Sequence, residues 1–315
     1  MKQSVLLFGH ENDPHVLAVR AGLLERGVKV QIFDIYNKSH KIALIMEQDK
    51  LHGELIINDN SLQFNEISKI WWRIKPHPYI GDNIENKAIR EFIQTEWRSM
   101  LNGLYHHIPN AIWINHPGLQ HKANFKTNQL LLAKRVGFQI PNTIFSNDYQ
   151  SIITQLSDFD RIIYKQIGWN MFPNGDVIFT NEVKKSLLEQ MKDNISLSPG
   201  IYQELLDKEY ELRITVVGAD IYAVKINSQE FDSTIIDWRH DQLVSMYEPY
   251  QLTNTFCDML REYMRVSELK YGAFDFVKTK RGYIFIECNP SGQWLWIEDR
   301  VSTYKVTESL VNLLN

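Results

Sequence analysis

The chain has 315 residues, 44% hydrophobic and 23% charged, with a formal net charge of −4. That length holds about two domains, and the composition excludes a disordered, collagen-like or coiled-coil chain. The mild acidity disfavours non-specific nucleic-acid binding, and the only two cysteines, Cys257 and Cys288, make no CxxC pair of the kind that disulfide frameworks or zinc fingers use. Aromatic residues reach 12%, including 8 Trp. The N-terminal apolar run is too short for a signal-peptide core. No stretch approaches the roughly 18 apolar residues of a spanning helix, so the expectation is a cytoplasmic protein with no membrane partner.

In chain order, Ser4 to Phe8 reads as a strand ending at Gly9. Asp13 is an N-cap with Pro14 at the first helical position. Val16, Leu17, Leu23 and Leu24 form the helix's apolar face, Gly27 ends it, and Val28 to Ile35 is the next strand. This βαβ unit predicts a small α/β domain with a parallel sheet; without GxGxxG it reads as scaffold rather than a dinucleotide site. Glu54 to Ile57 and Leu62 to Ile67 flank Asn58-Asp59-Asn60, a hairpin signal. A strand follows over Lys69 to Lys75, cut by Pro76 and Pro78. Residues 84–104 read as a helix with Ile89, Phe92, Ile93, Trp97 and Leu101 on one side, and Ala111 to Asn115 as a short strand. A domain boundary falls at His116-Pro117-Gly118.

Beyond it a helix is predicted from Lys122 to Val136, stopped by Gly137. Strands follow at Thr143 to Phe145 and Arg161 to Gln166, then a turn at Pro173-Asn174-Gly175, a strand over Val177 to Thr180 and a helix to about Lys192. Tyr202 to Leu206, Tyr210 to Val217 and Ile221 to Ile226 are successive strands. A helix over Asn254 to Leu269, strands at Ala273 to Val277 and Tyr283 to Glu287, and a terminal helix complete the chain.

The sharpest chemical feature is this last pair of strands. Asp275 lies inside one and Glu287 near the end of the other. A carboxylate in an apolar strand is unfavourable unless paired or bound to a cation. In an antiparallel hairpin the strands lie about 5 Å apart, and residues two apart share a face. Asp275, Glu287 and Asn289 can therefore present oxygen atoms together, and hard oxygen ligands suit Mg2+; the alternative is a pair of surface carboxylates on an ordinary hairpin. Lys126, Lys165, Glu211 with Arg213, and Asp237-Trp238-Arg239 are weaker features. Each lysine alone reads as a solvated charge, Glu211 and Arg213 as an ion pair along one strand, and Arg239 as a candidate for bidentate binding of carboxylate or phosphate.

Taken in order, these strings resemble the ATP-grasp superfamily, and within it the microviridin-type (graspetide, omega-ester) peptide ligases. The resemblance rests on Trp71-Trp72-Arg73; on Lys126-Thr127-Asn128-Gln129-Leu130 through Pro141-Asn142-Thr143; on Glu211-Leu212-Arg213-Ile214-Thr215; on Asp237-Trp238-Arg239; and above all on Glu287-Cys288-Asn289-Pro290-Ser291-Gly292-Gln293-Trp294. It spans nearly the whole chain and is strongest from Lys126 onward.

The resemblance implies a mixed α/β and α+β ATP-grasp fold, with a pre-ATP-grasp parallel-sheet domain over residues 1–118. A central lobe (119–204) and a C-terminal lobe (205–315) would enclose the nucleotide. It implies ATP and Mg2+ as cofactors. Lys126 and Lys165 would meet the phosphates, Gln203, Glu204, Leu205 and Leu206 would form the adenine hinge, and Glu211 would take the ribose. Asp275, Glu287 and Asn289 would ligate magnesium, and Arg239 and Arg213 would be catalytic cations, Arg239 also meeting phosphate. The implied activity is ligation within a ribosomal precursor peptide with leader and core parts. An Asp or Glu side chain is activated as an acyl phosphate and joined to a Ser/Thr hydroxyl or a Lys amine. The alternative is an enzyme similar to the RimK type, adding an amino acid to a small molecule or protein tail. A homodimer is the default oligomer. Core packing accounts for Trp97 and Trp113, whereas Trp169, Trp238, Trp294 and Trp296 are expected to wall the site.

Overall fold

The computed structural model describes residues 4–48, 50–74, 84–168, 180–230 and 247–315. The N-terminal unit starts with β1 (Ser4–Phe8), α1 (Pro14–Glu25) and β2 (Val30–Phe33). Asp13 caps α1 by accepting the His15 amide proton, and Gly27 takes a φ of 71° just beyond its end. The predicted apolar face of this helix needs correction. His15, Val16, Val19 and Leu23 are buried, whereas Leu17 and Leu24 are exposed.

Next come β3 (Lys41–Met46), β4 (Leu51–Ile57) and β5 (Asn60–Gln63), a separate antiparallel sheet. Asn58 and Asp59 turn its second hairpin with φ of 48° and 64°, the left-handed pair that asparagine and aspartate tolerate in two-residue hairpins. Then β6 (Ile67–Trp72), α2 (Lys87–Leu104) and β7 (Ile112–Ile114) complete the unit. Strands β2-β1-β6-β7 form the parallel sheet, in that order. Burial on both faces explains the unbroken apolar run of β1. Val5, Leu7, Trp71 and Ile114 pack toward α1 and the chain's C-terminal segment, while Leu6, Phe8, Ile70 and Trp72 pack on the side of the β3–β5 hairpins. On α2 only Leu101 and Leu104 are buried; Ile89 and Phe92 lie in solvent.

The helix expected over Lys122 to Val136 is two helices, α3 (Pro117–Ala123) and α4 (Lys126–Arg135), broken by extended backbone at Phe125. The predicted boundary at His116-Pro117-Gly118 therefore falls at the start of α3. A second antiparallel sheet, in the order β10-β9-β11-β8, is built from β8 (Thr143–Ser146), β9 (Ile162–Lys165), β10 (Asn181–Val183) and β11 (Gly200–Glu204). Helices α5 (Tyr149–Gln155), α6 (Lys185–Gln190) and α7 (Lys192–Leu197) belong to it, and Ile152, Leu156, Ile162, Leu188, Ile195 and Tyr202 form one apolar cluster. The turn expected at Pro173-Asn174-Gly175 lies outside the described residues.

The last sheet, in the order β14-β13-β12-β15-β16, holds β12 (Tyr210–Val217), β13 (Asp220–Ile226), β14 (Tyr247–Pro249), β15 (Tyr271–Thr279) and β16 (Gly282–Asn289). Helix α8 (Asn254–Ser267) precedes β15; α9 (Leu295–Glu298) and α10 (Val306–Leu314) follow β16. One face of this sheet is apolar. Leu212, Ile214, Val216, Phe274, Phe276, Phe285 and Cys288 pack with Leu130 and Ala133 of α4 and with Leu260, Tyr263 and Met264 of α8. At about 25 cal/mol per Å2 of apolar surface removed from water, this interior is a main source of stability. The opposite face is split. Val217, Tyr271 and Ala273 join Trp294, Tyr304 and Leu310 in the same core as α1, and the other half of that face carries charge.

Candidate active site

Register brings the predicted residues together. Arg213 of β12 lies opposite Asp275 of β15, and Asp275 lies opposite Glu287 of β16. Ala273 pairs with Asn289 two positions along, so Asn289 is on the same face as both carboxylates. A register shift between Asp275 and Phe276 makes this possible. In regular alternation Glu287 would share a face with Phe285. The bulge lets Phe285 join the apolar core while Glu287 faces the charged side, a common use of bulges beside functional sites.

Each carboxylate is met by a cation from another element. Arg213 Nη1 donates to both oxygens of Asp275, at 2.9 and 3.0 Å. Lys126 Nζ donates to Glu287 Oε2 at 2.7 Å, and Asn289 Nδ2 to Glu287 Oε1 at 3.0 Å. The expected Glu211–Arg213 pair is not formed: Glu211 accepts from Lys208 at 2.8 Å, and Arg213 turns to Asp275. Burial alone would lower the Arg213 pKa, but the Asp275 charge and hydrogen bonds raise it above its ordinary value, so Arg213 is a fixed cation. The Cys288 thiol between the two site residues points to the other face, and burial raises its pKa, keeping it a neutral packing group.

The remaining candidates fall on the central sheet and the segment after it. Lys126 is the first residue of α4. Lys165 ends β9 opposite Ile201, on the same face as Gln203. The Glu204 carboxylate is engaged structurally: Oε1 accepts from Asn142 N at 2.8 Å and Nδ2 at 3.0 Å, and Oε2 from Arg281 of the β15–β16 turn at 2.9 Å. The Glu204 amide donates to Asn142 O and the Leu205 amide to Arg161 O. Both of these backbone amides are therefore already bonded within the chain. Gln203 donates from Nε2 to Thr143 Oγ1 at 2.8 Å. Asp237, Trp238 and Arg239 lie outside the described residues, as does Trp169.

Two buried amides that sequence reasoning missed hold this geometry. Gln129 of α4 makes both bonds to Cys288: Nε2 donates to its carbonyl at 2.9 Å, and Oε1 accepts its amide proton at 3.1 Å. This clamps β16 between Glu287 and Asn289. Asn115, 2% exposed at the end of β7, donates to Tyr271 O and Pro290 O and accepts from Lys270 N and Tyr271 N. It satisfies all the hydrogen-bonding capacity of its amide. The expected wall role of Trp294 is also corrected. The ring is fully buried against His15, Trp71 and Tyr271, as part of the core behind the site.

This donor set can be tested as a metal site. Among the described residues no three His, Cys, Asp or Glu side chains cluster to hold a metal. Two carboxylates and one amide oxygen on a shared face, with cations close by, instead suit an ion that takes few protein oxygens and completes its shell with water and phosphate. That is the habit of Mg2+, so the residues present fit it.

A parallel-sheet unit followed by two antiparallel sheets, with Asp275 and Glu287 on one face of the last hairpin and Lys126 on Glu287, is the arrangement of an ATP-grasp fold. Comparison with known families agrees: residues 4–121 match the MvdD pre-ATP grasp domain. No curated protein matches the chain. Among solved structures, the chain is similar to the RiPP-associated ATP-grasp ligase of Chryseobacterium gregarium in complex with ADP and a leader and core peptide. The TM-score is 0.88 and the identity 26%, over 99% of this chain and 96% of that one. It is similar to macrocyclase MdnC of Microcystis aeruginosa bound with precursor peptide MdnA, with a TM-score of 0.86 and 28% identity over 99% of both chains. The fold is also that of ATP-grasp ligase PsnB complexed with minimal precursor, Mg and ADP, at a TM-score of 0.74 and 18% identity over 98% of this chain and 96% of that one. Residues 4–121 thus carry an MvdD-type pre-ATP-grasp domain, and over its whole length the chain has the fold of RiPP-associated ATP-grasp ligases.

Proposed function

We propose that this protein is an ATP-dependent peptide ligase. It activates an Asp or Glu side chain of a ribosomal precursor peptide and joins it to a Ser/Thr hydroxyl or Lys amine of the same peptide. The observation that carries this reading is the single face shared by Asp275, Glu287 and Asn289, with Arg213 and Lys126 on the carboxylates. The full-length likeness to ligases crystallised with ADP or precursor peptide supports it. In this reading residues 1–118 form the pre-ATP-grasp domain, 119–204 the central lobe and 205–315 the C-terminal lobe.

A carboxylate resists attack by an alcohol or amine because it is a poor electrophile with no good leaving group. Its oxygen attacks the γ-phosphorus of ATP, the bond from that phosphorus to the bridging oxygen breaks, and ADP leaves. The hydroxyl or amine then attacks the carbonyl carbon, loses its proton, and expels inorganic phosphate. Lys126 and Lys165 hold phosphate oxygens, Gln203 to Leu206 position the base, and Glu211 orients the ribose. Arg213 and Arg239 supply positive charge where the phosphoryl and carboxylate oxygens meet, which is most effective with water excluded. Asp275, Glu287 and Asn289 would hold Mg2+, which when bound would supply neutralisation of phosphate charge. A leader segment bound to the enzyme would raise the effective concentration of the core.

The test is mass spectrometry of a peptide with clustered Asp/Glu and Ser/Thr/Lys near its C-terminus, incubated with enzyme, ATP and magnesium. The natural source of such a peptide is a short reading frame beside the gene. Loss of one water per link with matching ADP release is expected. A mass gain would point to amino-acid addition of the RimK kind, and ADP binding without turnover would contradict catalysis.

A further inference from the structure

The segment leaving β16 is held by side chains from several elements. Four consecutive carbonyls each accept a donor from elsewhere in the chain. Pro290 O takes Asn115 Nδ2 at 2.8 Å, and Ser291 O takes Arg73 Nη1 at 3.2 Å. Gly292 O takes the Tyr271 hydroxyl at 2.8 Å, and Gln293 O takes Arg213 Nη2 at 3.2 Å. The next two amides, Trp294 N and Leu295 N, both donate to Nε2 of His15, at 3.2 and 3.4 Å. Asn115, Arg73 and His15 belong to the N-terminal unit, and Arg213 also grips Asp275. Gly292 fits only without a side chain: a Cβ there would lie 2.6 Å from Ala273 Cβ and 2.8 Å from Arg213 Nη2.

His15 is the far end of this clamp. It is 6% exposed in the first turn of α1. Its Nε2 accepts, so the imidazole is neutral with its proton on Nδ1, which donates to Asp13 Oδ1 at 3.0 Å. Asp13 Oδ2 accepts from Arg73 Nε at 2.7 Å. The guanidinium of Arg73 sits 5.5 Å from the Trp71 ring centre and 5.4 Å from that of Trp294. Asp13 therefore fixes both partners: the tautomer and plane of His15, and the direction of Arg73 toward Ser291. A shift of this segment would move Asn289 at its start and Arg213 along its length together.

We propose that His15, oriented by Asp13 and aided by Arg73, is a positioning residue for the metal-binding end of β16. Through it the N-terminal domain sets how tightly the site takes magnesium together with nucleotide. This rests on the reading of Asp275, Glu287 and Asn289 as magnesium ligands. Residues that orient metal ligands from behind commonly change metal affinity about 10- to 100-fold when altered.

The test is calorimetric titration of the full chain with ADP, in EDTA and in excess magnesium. In wild type, magnesium should strengthen ADP binding. In His15→Leu that gain should fall about tenfold, with ADP affinity in EDTA unchanged. His15→Gln, whose side-chain oxygen can reach the Nε2 position, should recover it to within about threefold, a rescue that a purely space-filling role would not produce. In turnover assays His15→Leu should lower kcat with little change in the peptide KM. Asp13→Asn should shift magnesium coupling in the same direction, and it decides the matter if His15→Leu does not fold. A magnesium gain equal to wild type in folded His15→Leu, or in Asp13→Asn if it decides, overturns the positioning role alone. Absence of any magnesium gain in wild type overturns the metal reading and this proposal with it.

Discussion

The two faces of the five-stranded sheet are made by the same strands and obey different rules. On one face Leu212, Ile214, Phe274, Phe276 and Phe285 pack against α4 and α8, and any group of similar size and polarity would serve. On the other, Arg213, Asp275, Glu287 and Asn289 sit in fixed opposition. Removing one partner there leaves a charge exposed to a poorly solvated surface. The difference teaches that alternation supplies two independent surfaces, and that one bulge beside Phe276 keeps them separate where the site needs it.

The comparison can be broken from either side. Glu287→Gln keeps shape and folding but removes a carboxylate from the charged face. Turnover should fall about a thousandfold or more, the size of several kcal/mol of lost charge stabilisation, with the circular dichroism spectrum unchanged. Phe276→Ala acts on the other face and should behave in the opposite way. Denaturant titration should show about 3–5 kcal/mol of lost stability, with kcat per folded molecule largely kept. Gly292→Ala pushes a methyl group toward Ala273 and Arg213. It should lose about 1–3 kcal/mol in the same titration and lower kcat as well, because Arg213 must move.

A smaller effect sharpens the picture at the interdomain clamp. Burial alone would raise the Asp13 pKa, but the His15 hydrogen bond and the Arg73 charge outweigh it and hold the carboxyl well below its ordinary 3.8. The folded state thus binds this proton less readily than the unfolded chain. The stabilisation is fully present above about pH 4 and is lost as pH falls toward the folded value. The melting-temperature gap between wild type and Asp13→Asn should narrow as pH drops below about 4; a gap constant down to strong acid would contradict this. Smallest of all, Arg265→Ala removes an exposed pair with Glu262 on α8. It should change stability by less than about 0.5 kcal/mol.

Much of this was legible in the sequence, for identifiable reasons. The β1–α1–β2 unit shows in an apolar run, an Asp-Pro helix start and a terminating glycine. The hairpin turn shows in Asn58-Asp59, and the site hairpin in carboxylates set within apolar strands. The break between α3 and α4 did not show, because Ala123-Asn124-Phe125 contains neither glycine nor proline. The true partners of Glu211 and Arg213 did not show either, since cross-strand pairing depends on register that a single strand does not encode. The clamp by Asn115, Gln129 and His15 joins positions 155 to 280 residues apart through side chain to backbone bonds. Such bonds leave no periodic trace. Trp294 looked like a site wall because it follows the carboxylates in sequence, yet the chain reverses after Pro290 and carries the ring into the core.

In the proposed mechanism a peptide side-chain carboxylate attacks the γ-phosphorus of ATP. A synthetic peptide with both side-chain carboxylate oxygens labelled with heavy oxygen, ligated in the presence of magnesium and ATP, tests it directly. One labelled oxygen is expected in the inorganic phosphate released for each link formed, with ADP and no AMP as the nucleotide product. Ligation that leaves the phosphate unlabelled, or that releases AMP, would contradict it.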